Sequence, residues 1–481
     1  MIPNLRDYSF LKIPSAWFWS WLLIGWFAFP GPASAEGNAH HPPDAPQSQN
    51  YAFTNGHWFN GRTFIPTTYY SVNGTLTASP PKQIDHTLDF QNRYMVPPFG
   101  EAHTHNVEGA WNVDQVIHHY LRDGVFYVKN PNDISEFVQH IRHKLNTPHS
   151  IDVVFAHAGL TAPNGHPSSL YEDMLRIHRY EPVIGRLDRD WFKGRAYYPV
   201  SDMQDVEKWW PAIMATNPDF IKIYLANSGH FGKDTRHPDQ GFREGLDPRL
   251  VAPIVQFVHQ RGLRVTAHIE TADDFRIAVQ GNVDEIAHLP GWFLPSSAER
   301  SAVLLTEEDA RLAAARRTVI VTTTVAQHFH PPGHHPTGSH APRHSPQPSG
   351  SHRHQGEENA RNMARDIQRH NLQVLHQAGA TIAIGSDHAE TALAEALHLH
   401  QLGVFDNLTL LNMWCETTPQ AIFPSRKIGR LEEGYEASFL VLKGNPLTDF
   451  RHVRDIALRF KQGVLLIGEY TQHNHTGHAH H

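Results

Sequence analysis

The amino-acid sequence predicts an α/β protein, with a (β/α)8 TIM barrel and a small β-sandwich domain built from both chain ends. In the middle of the chain, eight apolar runs rich in β-branched residues alternate with helical segments. Both ends of the chain instead carry short strand patterns separated by glycine turns. Eight strand-and-helix units of this length are typical of a barrel, and 481 residues are enough to bury a barrel core and a smaller second core.

The first 35 residues carry the pattern of a secretory signal peptide. Arg6 and Lys12 precede an apolar run at 16–29, and Ala33 and Ala35 then form the small-x-small pattern of a cleavage site. The run is short for a membrane span, which favours cleavage over the alternative of a retained anchor. We therefore expect a periplasmic or secreted protein that has no membrane association after the signal is removed.

Short strands flank the middle of the chain and are expected to pair into the small β-domain. The Asn-Gly pairs at 55–56, 60–61 and 73–74 are hairpin signals near the N-terminal end. Glycine turns likewise separate the strand patterns at 429–447 and 464–470. The predicted segments are a signal peptide at 1–35, a flexible leader at 36–50, the N-terminal part of the β-domain at 51–95, the barrel at 96–423, the C-terminal part of the β-domain at 424–470 and a His-rich tail at 471–481.

Each predicted barrel strand is a short apolar run. Helical segments between the runs, at 113–124, 248–262 and 272–281, end at glycine, as helix C-termini commonly do. A His-rich segment with proline, glycine and serine, at 328–355, follows the seventh run and is predicted to be a disordered loop. The eight runs lie at 94–100, 124–130, 151–159, 219–226, 263–270, 283–289, 318–325 and 380–388.

The composition excludes several classes of protein. The net charge is −7 and 19% of the residues are charged, without a basic stripe, so neither nucleic-acid binding nor acidic disorder is expected. Cys415 is the single cysteine, which rules out an internal disulfide. Eleven tryptophans and 34 prolines suit a loop-rich globular enzyme, whose partner would be a small-molecule substrate. The sequence leaves the oligomeric state open and permits a homo-oligomer.

The ends of the predicted strands carry residues that metals bind. His103 and His105 lie two apart after the first run, so both side chains can point into the barrel mouth. His268 ends the fifth run, His288 the sixth and Asp387 the eighth. Imidazole suits zinc and other first-row divalent ions, with a carboxylate as a harder partner. We therefore expect one or two divalent metal ions at the barrel mouth, with zinc preferred.

Asp387 and Lys222 have further expected roles. Asp387 could bind the metal and accept a proton from water whose pKa the metal lowers towards about 7. Lys222, on the fourth run, would be repelled by a dication as long as it is an ammonium ion. As a neutral amine it could add carbon dioxide, and the resulting carbamate could bridge two metals. The alternative is a core lysine paired with a carboxylate, beside a site for one metal ion.

In this order, the motifs AHTH, FIKIYL, TAHIET, DEIAHLPG and IGSDH resemble those of the amidohydrolase superfamily of metal-dependent hydrolases, in particular its imidazolonepropionase-like and prolidase-like members. The resemblance runs from about residue 53 to residue 447, where the closing segment is similar to the family's last strands. Three positions depart from the family pattern. Glu101 stands where the family often has aspartate, Ser438 stands for the aspartate of its closing segment, and His388 stands where a small residue is commoner.

The resemblance implies a centre with two metal ions, whose ligands come from the ends of five barrel strands. One ion would be bound by His103, His105 and Asp387, and the second by His268 and His288, with a carboxylated Lys222 as the bridge. The resemblance further implies that Asp387 is catalytic, because it would take a proton from the attacking water and pass it to the leaving group.

Four residues are candidates for substrate binding. His157 and His166 lie in the segment after the third run, and Tyr224 and Asn227 follow Lys222 closely. The alternative for the two histidines is packing within the loop. Because the loops after the barrel strands determine specificity, the sequence does not name the substrate.

The resemblance predicts an exported amidohydrolase-type hydrolase that uses metal-activated water on a C–N bond, in an amide, a cyclic amide or a short peptide. Alternatives of the same type are a one-metal cyclic-amide hydrolase or deaminase and a lactonase or esterase. A non-enzymatic alternative is a periplasmic metal-binding protein whose histidine tracts bind the ions. Finding Lys222 unmodified, with one metal ion per chain, would exclude the two-metal hydrolase.

Overall fold

The computed structural model describes residues 49–168, 170–171, 189–232, 244–291, 300–325 and 350–466. The predicted signal peptide, most of the leader, most of the His-rich loop and the His-rich tail lie outside these residues. A search of the described helices found none with the length and the apolar character that crossing a membrane requires.

The described residues form strands and helices that alternate through the middle of the chain. The strands are β1 (Tyr51–Phe59), β2 (Phe64–Val72), β3 (Thr75–Thr77), β4 (His86–Val96), β5 (Phe99–Glu101), β6 (Val125–Asn130), β7 (Asp152–Phe155), β8 (Gly159–Thr161), β9 (Tyr197–Pro199), β10 (Ile221–Tyr224), β11 (Val265–His268), β12 (Glu285–Ile286), β13 (Val319–Val321), β14 (Thr381–Ala383), β15 (Phe439–Leu442), β16 (Ile456–Lys461) and β17 (Val464–Leu465).

The helices follow the strands of the middle region. The α-helices are α1 (Val113–Arg122), α2 (Ser135–Gln139), α3 (Met203–Ala215), α4 (Val251–His259), α5 (Ala272–Gln280), α6 (Glu307–Arg316), α7 (Gly350–Gln377), α8 (Ala392–Leu402), α9 (Asn407–Asn412) and α10 (Thr418–Ile422). Short 3₁₀ helices lie at Arg142–Lys144, Arg189–Phe192, Ser228–His230, Pro248–Leu250, Arg300–Val303 and Phe450–Arg454, and a π-helical turn at Met413–Thr417 precedes α10.

The two chain ends meet in one seven-stranded sheet, in the order β17-β16-β15-β4-β1-β2-β3. The central strand β4 runs parallel to β1 and antiparallel to β15, so it joins the N-terminal strands to the C-terminal ones. Aromatic side chains from both ends pack on this sheet; the ring of Phe439 lies 5.0 Å from that of Phe53 and 5.1 Å from that of Trp58. The small β-domain is therefore confirmed as part of the fold class, and its exact boundaries stay a prediction.

The predicted Asn-Gly turns have different structural roles. The pair at 73–74 joins β2 to β3, and both residues have the positive φ that a tight hairpin turn requires. The pair at 60–61 lies between β1 and β2. The pair at 55–56 lies inside β1, so the hairpin predicted there is wrong. Asn55 has a φ of +53° and the register of β1 shifts at this point, which makes it a bulge. Gly56 packs on Met95, and a Cβ there would have to displace the Met95 methyl group.

The barrel is built from β5, β6, β7, β10, β11, β12, β13 and β14. Strands β5 to β7 are parallel neighbours, and so are β10 to β14. The N–H of Asp219 donates to the carbonyl of Phe155 at 2.8 Å and connects the two groups of strands. The N–H of Ala102 donates to Ile384 at 2.9 Å and joins the first strand to the last. The predicted (β/α)8 barrel is confirmed.

Three segments differ from the sequence prediction. The first run contains the end of β4 and the start of β5, because Pro97 and Pro98 lack the N–H that a continuous ladder needs. Strand β8 begins at the end of the third predicted run, and β9 lies between the third and fourth runs, where no strand was predicted; β8 pairs with both β9 and β10. Helix α7 begins at Gly350, so the last residues of the predicted His-rich loop are helical. Residues 349–377 contain no proline and include glutamine, glutamate and alanine residues, which favour a helix.

Candidate metal centre

The ends of β5 and β14 lie side by side and bring three predicted ligands together. The N–H of Asp387 donates to the carbonyl of His103 at 2.8 Å, and Thr104 pairs with Asp387 as a parallel bridge. As a result, Oδ1 of Asp387 lies 3.5 Å from Nε2 of His103 and 3.4 Å from Nε2 of His105. Asp387 has a φ of +61°, which residues other than glycine rarely adopt, so its backbone is strained where it directs this carboxylate towards the two imidazoles.

Glu101 fastens the same two strand ends to each other. Its buried Oε1 accepts a hydrogen bond from the N–H of Ser386 at 2.7 Å and from the N–H of His103 at 3.4 Å. Its Oε2 lies 2.7 Å from Oγ of Ser386. Burial raises the pKa of Glu101 to about 8. The glutamate that replaces the family's usual aspartate therefore holds the neighbours of two candidate ligands in place.

His288, which follows β12, completes a group that can hold a metal ion. His103, His288 and Asp387 each present a ligand atom within 4.8 Å of the others. In the described part of the chain, neither ring nitrogen of His103 has a hydrogen-bond partner, although the residue is only 1% exposed. Burying polar atoms without partners is unfavourable, and binding a cation would supply one. The residues present therefore fit a divalent metal ion.

The protonation of the imidazoles suits metal binding. Nδ1 of His105 lies 3.2 Å from the carbonyl of Asn132, which can only accept, so Nδ1 carries the proton and Nε2 presents its lone pair towards Asp387. Nδ1 of His288 lies 2.9 Å from Oγ1 of Thr323. Burial lowers the pKa of His103 to about 3 and also lowers the pKa of His105 and of His288. The neutral imidazoles are the form that binds metals.

Lys222 lies on β10 and is buried. It is 1% exposed and makes no hydrogen bond or ion pair with the residues that the structure describes. The buried carboxylate of Glu285 is already bound by Lys129, whose Nζ lies 2.7 Å from Oε1. Burial lowers the pKa of Lys222 to about 7, so a large share of this side chain is a neutral amine near neutral pH.

His268 extends the cluster on the side of β11. Its ring centre lies 4.7 Å from that of His288, whose ring in turn lies 4.6 Å from that of His103. Burial lowers the pKa of His268 well below its usual range, and the nearby Lys222 contributes to this shift. The structure thus brings all six predicted ligands into one cluster at the carboxyl ends of the barrel strands.

Two of the four predicted substrate residues, His166 and Tyr224, lie against this cluster. The buried ring of His166 stacks on that of His268 at 4.5 Å and meets the ring of Tyr224 edge-on at 5.5 Å. Tyr224 also lies 5.6 Å from His268, measured between ring centres. Asn227 is partly exposed on the loop after β10, where Oδ1 lies 3.1 Å from Nδ1 of His230.

His157 has a different place from the one predicted. It is 1% exposed, its Nδ1 lies 2.5 Å from Oδ1 of Asp133, and its Nε2 lies 2.9 Å from Nη2 of Arg142. Both ring nitrogens are therefore engaged within the protein. The structure places His157 in the packing behind the site, as in the alternative considered from the sequence, and not at a surface that a substrate reaches.

Asp274, which was not among the residues predicted from the sequence, organises the loops next to the cluster. Its fully buried carboxylate accepts four backbone N–H groups at 2.8–3.2 Å, those of Asn227, Ser228, Glu270 and Thr271. Asp274 thereby ties the loop after β10 to the loop after β11. The signal for it was present, because Thr271 and Asp274 form the capping box that begins α5.

Comparison with known proteins agrees with this arrangement. Residues 243–466 match the model of the amidohydrolase family. The solved structure of ochratoxinase from A. niger is similar with a TM-score of 0.64 and 16% identity, covering 88% of this chain and 96% of that one. Phenylurea hydrolase B has a TM-score of 0.63 at 17% identity, with 87% of this chain and 96% of that one covered. A Xaa-Pro dipeptidase has a TM-score of 0.62 at 15% identity, with 87% and 100% covered.

No curated protein sequence matches the chain. At identities of 15–17%, the likeness to the solved structures shows the fold that they share with this chain.

Proposed function

We propose that this chain, a member of the amidohydrolase superfamily, is a hydrolase that uses metal-activated water to cleave a C–N bond in an amide, a cyclic amide or a short peptide. The superfamily predicted from the motifs is confirmed by the family match over 243–466. The observation that carries the proposal is the buried cluster of His103, His288 and Asp387, in which His103 has no hydrogen-bond partner among the described residues. The similar phenylurea hydrolase and Xaa-Pro dipeptidase, both named as hydrolases, support the reaction class.

The two carboxylate oxygens of Asp387 would have different roles in this reaction. A divalent ion bound here would lower the pKa of a water molecule towards about 7 and polarise the carbonyl under attack. Oδ1 of Asp387 faces His103 and His105, whereas Oδ2 faces the edge of the site, 3.5 Å from Nε2 of His388. We assign Oδ2 as the atom that takes the proton from the attacking water and delivers it to the leaving nitrogen.

Lys222 decides between one and two metal ions. Its neutral Nζ can add to the carbon of carbon dioxide with loss of one proton, which gives a carbamate with two oxygen ligands. The burial of Lys222 supports this role, because no carboxylate among the described residues forms an ion pair with it, and Oε1 of the nearby Glu285 is bound by Lys129. We therefore propose a two-ion centre bridged by Lys222, with zinc as the ion that its imidazole ligands favour.

Metal analysis combined with a hydrolysis screen tests the proposed function. The purified mature protein should hold tightly bound divalent ions and hydrolyse at least one class among dipeptides, N-acyl amino acids, cyclic amides and lactones. His103→Ala should lose activity together with bound metal, while His140→Ala, which changes an exposed histidine elsewhere, should lose neither. Unchanged activity in His103→Ala would refute the assignment.

Two further experiments separate this proposal from its alternatives. Deleting residues 329–354 removes most of the His-rich segment; tightly held ions that survive the deletion belong to the barrel, and a complete loss of metal would favour the non-enzymatic metal-binding protein. We also propose that the protein is exported, on the basis of the signal-peptide pattern at 1–35. N-terminal sequencing of the protein from the periplasm or medium should find a mature start near Glu36, and an intact Met1 would contradict export by cleavage.

A further inference from the structure

Glu270 lies beside the metal cluster and has no part in the chemistry described above. It follows His268 by two residues at the end of β11, and its Oε1 is 3.8 Å from Nε2 of that histidine. The residue is 8% exposed. Its carboxylate is therefore buried at the mouth of the barrel, next to a candidate ligand of the second ion.

No cation of the described protein neutralises this carboxylate. Oε2 of Glu270 accepts no hydrogen bond, and no lysine or arginine among the described residues pairs with the side chain. The neighbouring Asp274 has the same charge, and its own carboxylate is already satisfied by backbone N–H groups. A carboxylate buried in this way is protonated unless a positively charged ligand neutralises it, so the position can accept a cation that the described protein does not supply.

We propose that Glu270 is a ligand of the divalent ion that His268 binds, and this inference rests on the proposed two-ion function. Two ligand atoms that each lie about 2.1 Å from one ion are at most about 4.2 Å apart. The 3.8 Å between Oε1 and Nε2 of His268 falls within that limit without movement of the backbone. Glu270 thus gives the second site a carboxylate oxygen in addition to its imidazoles.

A cationic group of the substrate is the other source of positive charge, and the geometry favours the metal. An ammonium group held by Glu270 would lie next to His268, and therefore next to the dication, which repels it. The ligand assignment also has a consequence for metal selectivity. A carboxylate is a harder ligand than imidazole, so the second site should accept Mn²⁺ more readily than a site of imidazoles alone.

Calorimetric titration of the metal-free mature protein with Zn²⁺ and with Mn²⁺ tests the inference. The wild type should bind two ions beyond those of the His-rich segments, whose contribution is the same in every variant. Glu270→Gln, which is neutral and of equal size, should leave the tighter ion unchanged and weaken the second by about 10- to 100-fold, more for Mn²⁺ than for Zn²⁺. The affinity of Glu270→Asp for the second ion should lie between those of the wild type and Glu270→Gln. Glu308→Gln, which changes an exposed carboxylate elsewhere, should bind both ions as the wild type does.

The possible failures are distinguishable. Equal affinity for both ions in the wild type and in Glu270→Gln would overturn the inference and leave the hydrolase proposal intact. If Glu270→Gln keeps both ions and its KM rises only for substrates that carry an ammonium group, Glu270 binds substrate, and this result would also overturn the inference. A wild type that binds only one barrel ion would refute both the Glu270 ligand and the two-ion centre. Barrel ions that are unaffected by His103→Ala would refute the proposed function itself.

Discussion

Replacing Glu101 with glutamine should remove a pH dependence of stability that the metal-free wild-type protein shows between about pH 5 and about pH 8. Glu101 is fully buried between β5 and β14 and contacts both the N–H and the hydroxyl of Ser386. A glutamine side chain accepts from the N–H and donates to the hydroxyl, which are the hydrogen bonds of a protonated glutamate. The variant should therefore fold in the same way, and it should lack only the group whose ionisation makes stability depend on pH.

The size of the effect follows from the raised pKa of Glu101. Burial moves this pKa from 4.5 to about 8, so the folded protein keeps a proton that the unfolded chain has released. The resulting stabilisation is complete below pH 4.5 and is lost as the pH rises through 8. With about 1.4 kcal/mol for each pKa unit, raising the pH from about 5 to about 8 should lower the free energy of unfolding by roughly 3 kcal/mol through this group.

Urea denaturation of both proteins, stripped of metal with EDTA, measures this effect. All other titrating groups are common to the two proteins and cancel in the difference between them. The exposed-carboxylate variant Glu308→Gln should show the wild-type dependence. If the free energies of unfolding of wild type and Glu101→Gln change in parallel with pH, Glu101 does not keep a proton in the folded protein, and the reasoning from its raised pKa is wrong.

Three further substitutions test the packing around the site. Lys129→Met should lower the free energy of unfolding by about 3–5 kcal/mol because it leaves Glu285 buried without its cation, and the double variant with Glu285→Gln should recover much of the loss in a double-mutant cycle. Asp274→Ala should lower the free energy of unfolding, measured by denaturation, by about 3 kcal/mol or more, because four backbone N–H groups lose their acceptor. An unchanged free energy of unfolding would contradict its role in joining the two loops. His157→Gln should lower Tm with little change in KM, and a raised KM at unchanged Tm would restore its predicted substrate role.

The positions of the candidate metal ligands could be predicted from the sequence because they depend on two local rules. Alternate residues of a strand point the same way, which relates His103 to His105, and the carboxyl ends of barrel strands meet at one mouth. Neither rule requires knowledge of contacts between distant segments. The same rules correctly place His268, His288 and Asp387 beside the first pair.

Features that depend on distant contacts could not be predicted in this way. The burial of His157 follows from its pairing with Asp133 and Arg142, and sequence spacing does not show that these side chains meet. The Asn-Gly pair at 55–56 has the composition of a turn, but pairing of β1 on both sides keeps it within the strand as a bulge. The pairing of Lys129 with Glu285 next to Lys222 likewise joins residues that are far apart in sequence.

The most direct test of the metal centre is an anomalous-diffraction measurement on crystals of the mature protein, recorded on both sides of the zinc absorption edge. We expect an anomalous peak about 2.0–2.2 Å from Nε2 of His103, Nε2 of His105 and a carboxylate oxygen of Asp387, and a second peak at bonding distance from His268 and His288. Protein that contains zinc but shows no peak within bonding distance of His103, His105 and Asp387 would contradict this expectation.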